Sequence, residues 1–189
     1  MADLSDEELM LMFKYGQVDA FDLLFERHRS WVLGFIGQMV GDRAAAEDVF
    51  QEVFVEVVRA AGRYEVKAKL TTWLYKIASS RCLNHLSSAS HRWSRRTVSL
   101  DAAEPVAGGL ASHEPAPDDA ASARELTEIM RREVLRLPPD QRAAFVLRET
   151  HGKGYDEIAD ILGQPLGTIK THLHRARQAV RDHMRRHLP

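Results

Sequence analysis

Apolar residues recur three and four positions apart over most of this chain, the period of a helix with one buried face. Long alternating Val/Ile/Thr runs are absent, so the chain reads as all-α. Ser5 with Glu8 makes a capping-box pattern that opens a short helix to about Tyr15. Asp19 is placed to cap a second helix carrying Phe21, Leu24, Phe25, Trp31, Val32, Phe35 and Ile36. Asp42 is placed to cap a third, with Val49, Val53 and Val57 on one stripe and Phe50, Phe54 and Val58 beside it, and Gly62 is expected to end it. A basic loop from Arg63 to Lys69 leads to a fourth helix from about Thr71 to His91. Its apolar positions are Trp73, Leu74, Ile77, Ala78 and Leu86.

The periodicity stops at Thr97. From there to Ala123 the chain has no Lys or Arg and is rich in Ala, Pro, Gly, Asp and Glu, and Pro105, Pro115 and Pro117 interrupt any helix. This reads as a mobile acidic linker, dividing the chain into a helical domain over 1–96, a linker over 97–121 and a second helical domain over 122–189. Ser122 with Glu125 suggests another capping box, followed by an apolar stripe of Leu126, Ile129, Met130 and Val134 that Pro138-Pro139 stops. A helix over Asp140–Thr150 should turn Ala144, Phe145 and Leu147 inward.

Tyr155 to Arg177 then reads as a helix, a tight turn and a basic second helix from about Gly167 to Met184. Ala159 lets two helices approach, Gly163 suits a turn with φ > 0, and Ile169 packs the second helix on the first. A DNA-reading helix-turn-helix has this form, with its second helix in the major groove. Lys170, Thr171, His174 and Arg175 can share one side of that helix, because steps of three and four residues fall together. Lys170 and Arg175 suit phosphates or guanine edges, and Thr171 suits a base edge or a thymine methyl. Thr168, near the helix N-terminus, suits a phosphate.

Charge sharpens this picture. The formal net charge is −1, which taken alone argues against nucleic acid. The charges are segregated, however: Asp3, Asp6, Glu7, Glu8, Glu47, Asp48, Glu52 and Glu56 crowd the first third, and Lys170, Arg175, Arg177, Arg181, Arg185 and Arg186 crowd the end. Two surfaces with different partners follow. Cys82 is the single cysteine, so no intramolecular disulfide forms. The acidic N-terminus is unlike a signal peptide, and no apolar run approaches the ~20 residues of a membrane span, so a cytoplasmic location is expected. His183 and His187 are four apart, but without a further ligand constellation no metal site is expected. No Gly-rich phosphate loop, HExxH or GxSxG motif supports an enzyme, and no cofactor is implied.

GYDEIADILGQPLGTIKTHLHRAR resembles the DNA-binding region four of bacterial sigma factors of the sigma-70 family, extracytoplasmic-function type, and LRLPPDQRAAFVLRE resembles the helices before it. AEDVFQEVFVEVV resembles the core-polymerase-binding segment of region two, and LTTWLYKIA with CLNHL resembles the segment that melts promoters and reads their −10 element. The resemblance implies that Asp48, Gln51, Glu52 and Phe54 meet the clamp coiled coil of the largest polymerase subunit. It implies that Lys67, Lys69, Leu70, Trp73, Lys76 and Asn84 form the −10 single-strand surface. It implies that Thr168, Lys170, Thr171, His172, His174 and Arg175 face the −35 element. Further implied partners are the flap of the second-largest subunit, promoter DNA and an anti-sigma factor. Ser79-Ser80 stand where the family favours Arg-Asn, Ser87-Ser88 occupy often-basic sites, and His172 replaces a frequent Arg. Grip on the −10 strand is then expected to be weaker or to shift toward Arg92, Arg95 and Arg96. The function implied is transcription initiation at −35/−10 promoters. The alternatives are a stand-alone helix-turn-helix regulator and an interaction module that titrates one.

Overall fold

The computed structural model describes residues 4–95 and 117–185, with side chains placed for 4–88 and 125–185. Among these residues it is helical and contains no strand. The helices are α1 (Asp6–Lys14), α2 (Val18–Val40), α3 (Arg43–Ala60), α4 (Leu70–Arg95), α5 (Pro117–Arg136), α6 (Pro139–Phe145), α7 (Tyr155–Leu162) and α8 (Leu166–Met184).

Local chemistry explains most of the ends. The Ser5–Glu8 capping box forms in both directions: Ser5 Oγ accepts from the Glu8 N–H and Glu8 Oε2 accepts from the Ser5 N–H. Asp42 caps α3 by accepting from the Ala45 N–H at 2.7 Å. Asp19 does not cap α2. The helix begins at Val18, behind Gln17, two residues earlier than an Asp19 cap would start it, and Asp19 lies in the first turn, where its charge still favours the helix dipole. Gly62 does not end α3 as a left-handed cap; the chain tightens into a 3₁₀ turn over Ala61–Arg63. The Ser122 capping box is also displaced, because α5 starts at Pro117. Proline suits the first helical position, and Asp118 and Asp119 follow in the first turn. The last five residues of the expected linker, 117–121, are thus helical, and Arg96 and residues 97–116 lie outside the described residues. The helix expected over Asp140–Thr150 opens at Pro139 and widens into a π-type turn at Val146–Thr150.

Helices α1 to α4 form a bundle. Leu9, Met10, Leu24, Leu70 and Leu74 fill one end, where Glu7 Oε1 accepts from the Leu70 N–H at 2.7 Å and ties α1 to the first turn of α4. Val32, Phe35 and Ile36 of α2, Val49 and Val53 of α3, and Ala78 and Cys82 of α4 fill the other. Cys82 is fully buried, and burial pushes its thiol up to about 12, so it packs as an inert small apolar group.

The second core is continuous with the first. Ala144, Phe145, Leu147, Ile158, Ile169 and Leu173 belong to the same buried cluster as the α2–α4 residues. Each of the larger side chains contributes about 2 kcal/mol on leaving water. Tyr75 stacks against Trp31 at 4.3 Å, and its hydroxyl meets His151 Nδ1 at 2.8 Å across the junction of the two halves. Arg142 is buried and donates to the carbonyls of Leu137, Leu135 and Met39, so one guanidinium bridges α6, the end of α5 and the end of α2. Gly41, with φ +85°, turns the chain out of α2 directly beneath Leu135 of α5.

Candidate nucleic-acid and partner interfaces

The helix-turn-helix is built as its residues demand. Gly163 closes α7 at φ +63°, and its N–H bonds the Ala159 carbonyl. Ile169, Leu173, Ala176, Val180 and Met184 form the buried side of α8. Opposite them Lys170, Thr171, His174 and Arg175 are exposed together, as their spacing predicts. Thr171 Oγ1 donates back to the Gly167 carbonyl at 3.0 Å, which leaves its oxygen and methyl facing outward. Thr168 and His172 are half-buried at the flank. The sequence motif did not single out Arg177 as a contact, and the structure gives it another job. It is held by Glu149 at 2.6 Å and by the Tyr155 hydroxyl at 3.3 Å, so it braces α8 against the turn before α7. With Lys170, His174, Arg181 and Arg185 it borders a basic groove along α8.

A second site lies where α3 ends and α4 begins. Tyr64, Lys67, Ala68, Thr72, Trp73 and Lys76 line a hollow of about 380 Å³. Trp73 and Tyr64 meet edge to face with centroids 5.3 Å apart, giving an aromatic wall. Lys67 is exposed and paired with Glu65 at 2.6 Å; Lys69 is also exposed. Lys76 reaches Asp160 of α7 at 2.8 Å. An aromatic wall edged by lysines suits an unstacked base with its phosphates. Leu70 does not belong to this surface: it is 1% exposed and acts from beneath as packing. Asn84 is exposed on α4 but lies three turns beyond Trp73, outside the hollow. Tyr64 and Thr72 were missed by the sequence reading. Tyr64 sits in the basic loop, where an aromatic among cations was the available signal. Ser79 is buried, so at that position the chain packs a small residue in place of a surface charge. The side chains of Arg92 and Arg95 lie outside the described residues.

A third surface is the outer face of α3. Asp48, Gln51 and Glu52 are exposed together, one turn apart, with Val55 47% exposed beside them and Arg59 and Arg81 at the edge. Arg81 is fixed by Glu56 at 2.7 Å. Phe54 is not on this face; it is buried against Phe25 with centroids 4.8 Å apart and holds α3 to α2. An acidic stripe with an exposed valine beside it suits a basic helical partner with an apolar seam. His183, one of the paired histidines, is held by buried Glu133 of α5, which also binds Arg136 at 2.6 Å. Among the described residues no cluster of potential metal ligands occurs, and no helix is long and apolar enough to cross a membrane.

Comparison with known proteins matches both helical halves. Residues 24–92 match the family model for sigma-70 region 2, and residues 127–180 match that for sigma-70 region 4. The RNA polymerase sigma-H factor of Pseudomonas aeruginosa is 34% identical over 93% of this chain and 91% of its own length. The extracytoplasmic-function sigma-E factor of Escherichia coli is 33% identical over 94% and 93%. In fold, the chain is similar to the sigma factor RpoE solved with the anti-sigma factor NepR from Bartonella quintana. That match has a TM-score of 0.67 and 19% identity over 87% of this chain and 96% of the other.

Proposed function

The chain belongs to the sigma-70 family, in its extracytoplasmic-function branch, and from that premise we propose that its three surfaces divide the work of starting transcription. The α3 face, through Asp48, Gln51, Glu52 and Val55, docks on the clamp coiled coil of core RNA polymerase. The α4 hollow traps an unstacked base of the −10 element, with Trp73 as its wall and Lys67, Lys69 and Lys76 along the phosphates. Helix α8 reads the −35 element through Lys170, Thr171, His174 and Arg175, with Thr168 at a phosphate and His172 at the flank. Asn84 meets the strand farther along α4. The second helical half also meets the flap of the second-largest subunit.

The observation that supports this reading best is the company the helix-turn-helix keeps. A stand-alone regulator needs only α7, α8 and their support. It has no use for an acidic docking face on α3 or for an aromatic hollow fringed with lysines. The chemistry of RNA synthesis belongs to the polymerase, and this chain supplies recognition and strand capture in the cytoplasm. The structural neighbour solved with an anti-sigma factor makes such a protein the expected regulator. Run-off transcription with core polymerase and genomic fragments tests the proposal. Discrete transcripts that require this chain are expected. Specific duplex binding by the free chain, with no affinity for core polymerase, would replace the reading with a stand-alone regulator.

A further inference from the structure

Steps of three and four residues carry Lys170, His174, Arg177, Arg181 and Arg185 along the basic groove of α8. Among the described residues, Arg177 is the member of that row that a carboxylate holds. Glu149 Oε1 accepts from its Nε at 2.9 Å and from one terminal nitrogen at 2.6 Å, and the other terminal nitrogen donates to the Tyr155 hydroxyl at 3.3 Å. The Tyr155 ring is itself fixed beneath the Arg148 guanidinium at 5.2 Å. Glu149 is carried by the π-type turn at Val146–Thr150, where the His151 N–H bonds the Val146 carbonyl at 3.2 Å. Single wide turns of this kind occur frequently at functional sites.

Stability does not account for this arrangement. Both side chains of the pair are 40% exposed, and an ion pair so open to water contributes little to folding. Helix α8 is already seated by Ile169, Leu173, Ala176 and Val180, all buried. What the pair does change is the charge offered to DNA. A guanidinium loose in that groove binds the phosphates of any sequence, whereas sequence is read at base edges. Resting on the function proposed above, we infer that Glu149 is a positioning residue that sets the sequence-independent part of the grip of α8 on duplex DNA. It does so by keeping Arg177 off the phosphates, and it touches no DNA itself. Lys170, Thr171, His174 and Arg175 are then left to decide which duplex is held. The formal net charge of −1 points the same way, since this chain is not built to be drawn to phosphate in general.

The test uses the full chain as wild type, E149Q, R177Q and E149Q/R177Q. Each is titrated by anisotropy over a series of salt concentrations with two duplexes. One carries the −35 element of a promoter mapped by run-off transcription, and the other carries the same bases shuffled. E149Q should bind both duplexes about five-fold more tightly than wild type, the gain of one phosphate contact, with the ratio between them kept. Its log affinity should fall with log salt more steeply by about 0.9, as one added phosphate contact requires. In the R177Q background the same change at Glu149 should produce neither effect. Weaker binding of the −35 duplex by E149Q at an unchanged salt slope would make the pair a brace and nothing more. A gain that persists without Arg177 would be a general effect of lost negative charge. Either result, or an E149Q chain that binds no better than wild type, overturns the inference. If transcripts form with core polymerase and one of those results holds, this inference alone fails. If no transcripts form, the function proposed above fails and the inference with it.

Discussion

Single residues carry two kinds of consequence here, contact with nucleic acid and titration. Arg175 is exposed on α8 beside Lys170 and Thr171, with no side-chain partner among the described residues. Arg175→Ala should remove a base or phosphate contact of about 1–3 kcal/mol, lowering transcription roughly ten-fold or more while core-polymerase affinity stays unchanged. Loss of polymerase binding in that variant would count against assigning α8 to DNA. His151 carries the titration. Burial first, and the Lys153 charge second, bring its imidazole down from its ordinary 6.5 to about 4, so it sits neutral against Tyr75. A lowered folded value means the neutral ring stabilises the fold above 6.5, and that contribution is lost as pH falls toward 4. His28 is also lowered by burial and adds to the same slope. The prediction is therefore differential: His151→Gln should flatten the fall in stability between pH 6.5 and 4 measured by urea unfolding. An unchanged slope would show that this ring does not titrate against the junction. Neither the depth of His151 nor its meeting with Tyr75 was legible in the sequence, because both depend on two segments 76 residues apart.

At the scale of elements, what the sequence revealed well was what depends on near neighbours. The Ser5–Glu8 box, the Asp42 cap and the Gly163 turn are each decided within three or four residues, and each formed as its spacing requires. Asp19 and Ser122 misled because a capping side chain is one of several ways to start a helix. Gln17 starts α2 with no side-chain cap, and α5 opens with a proline at its first position. Of the candidate site, the exposed runs of α3 and α8 were legible from periodicity. Leu70 and Phe54 were not, since a helical motif names residues on both its faces and only packing tells which are turned in. Two predictions belong here. Asp48→Ala with Glu52→Ala on the exposed side of α3 should weaken core-polymerase binding at least ten-fold by direct titration, leaving helicity and −35 duplex affinity intact; unchanged affinity would remove this face from docking. Gly163→Ala meets no atom within 4 Å of the new Cβ, so its cost should be the left-handed backbone alone, about 1 kcal/mol in thermal unfolding. Gly41→Ala should cost more, because its Cβ would press on Leu135 as well.

The molecule as a whole is two helical halves that share one core. The pattern of the chain placed a boundary between them and could not foresee the shared packing, because apolar stripes announce that a face is buried without naming its partner. Arg142 concentrates the issue. It lies in a segment whose spacing marks a support helix for the DNA-reading unit, yet its guanidinium reaches the Met39 carbonyl at the end of α2. Burial lowers its pKa, but the group remains charged, and three carbonyls stand in place of a carboxylate. Helix ends leave their last carbonyls without partners, so one cation satisfies the ends of both α2 and α5. Arg142→Met keeps much of the volume and removes all three bonds at once. The unpaired buried carbonyls should cost about 2–4 kcal/mol, which for a chain of this length lowers the melting temperature by roughly 5–15 °C. The shape of the transition is the sharper readout. With the bridge present, the shared core should melt as a single calorimetric transition, the van't Hoff enthalpy matching the calorimetric one. Without it, the halves keep their own internal packing and lose a main tie between them, so the van't Hoff value should fall below the calorimetric one as two steps separate. A lower melting point with the ratio still at unity would mean that Arg142 stabilises its own half and that the aromatic junction around Tyr75 is what couples the two.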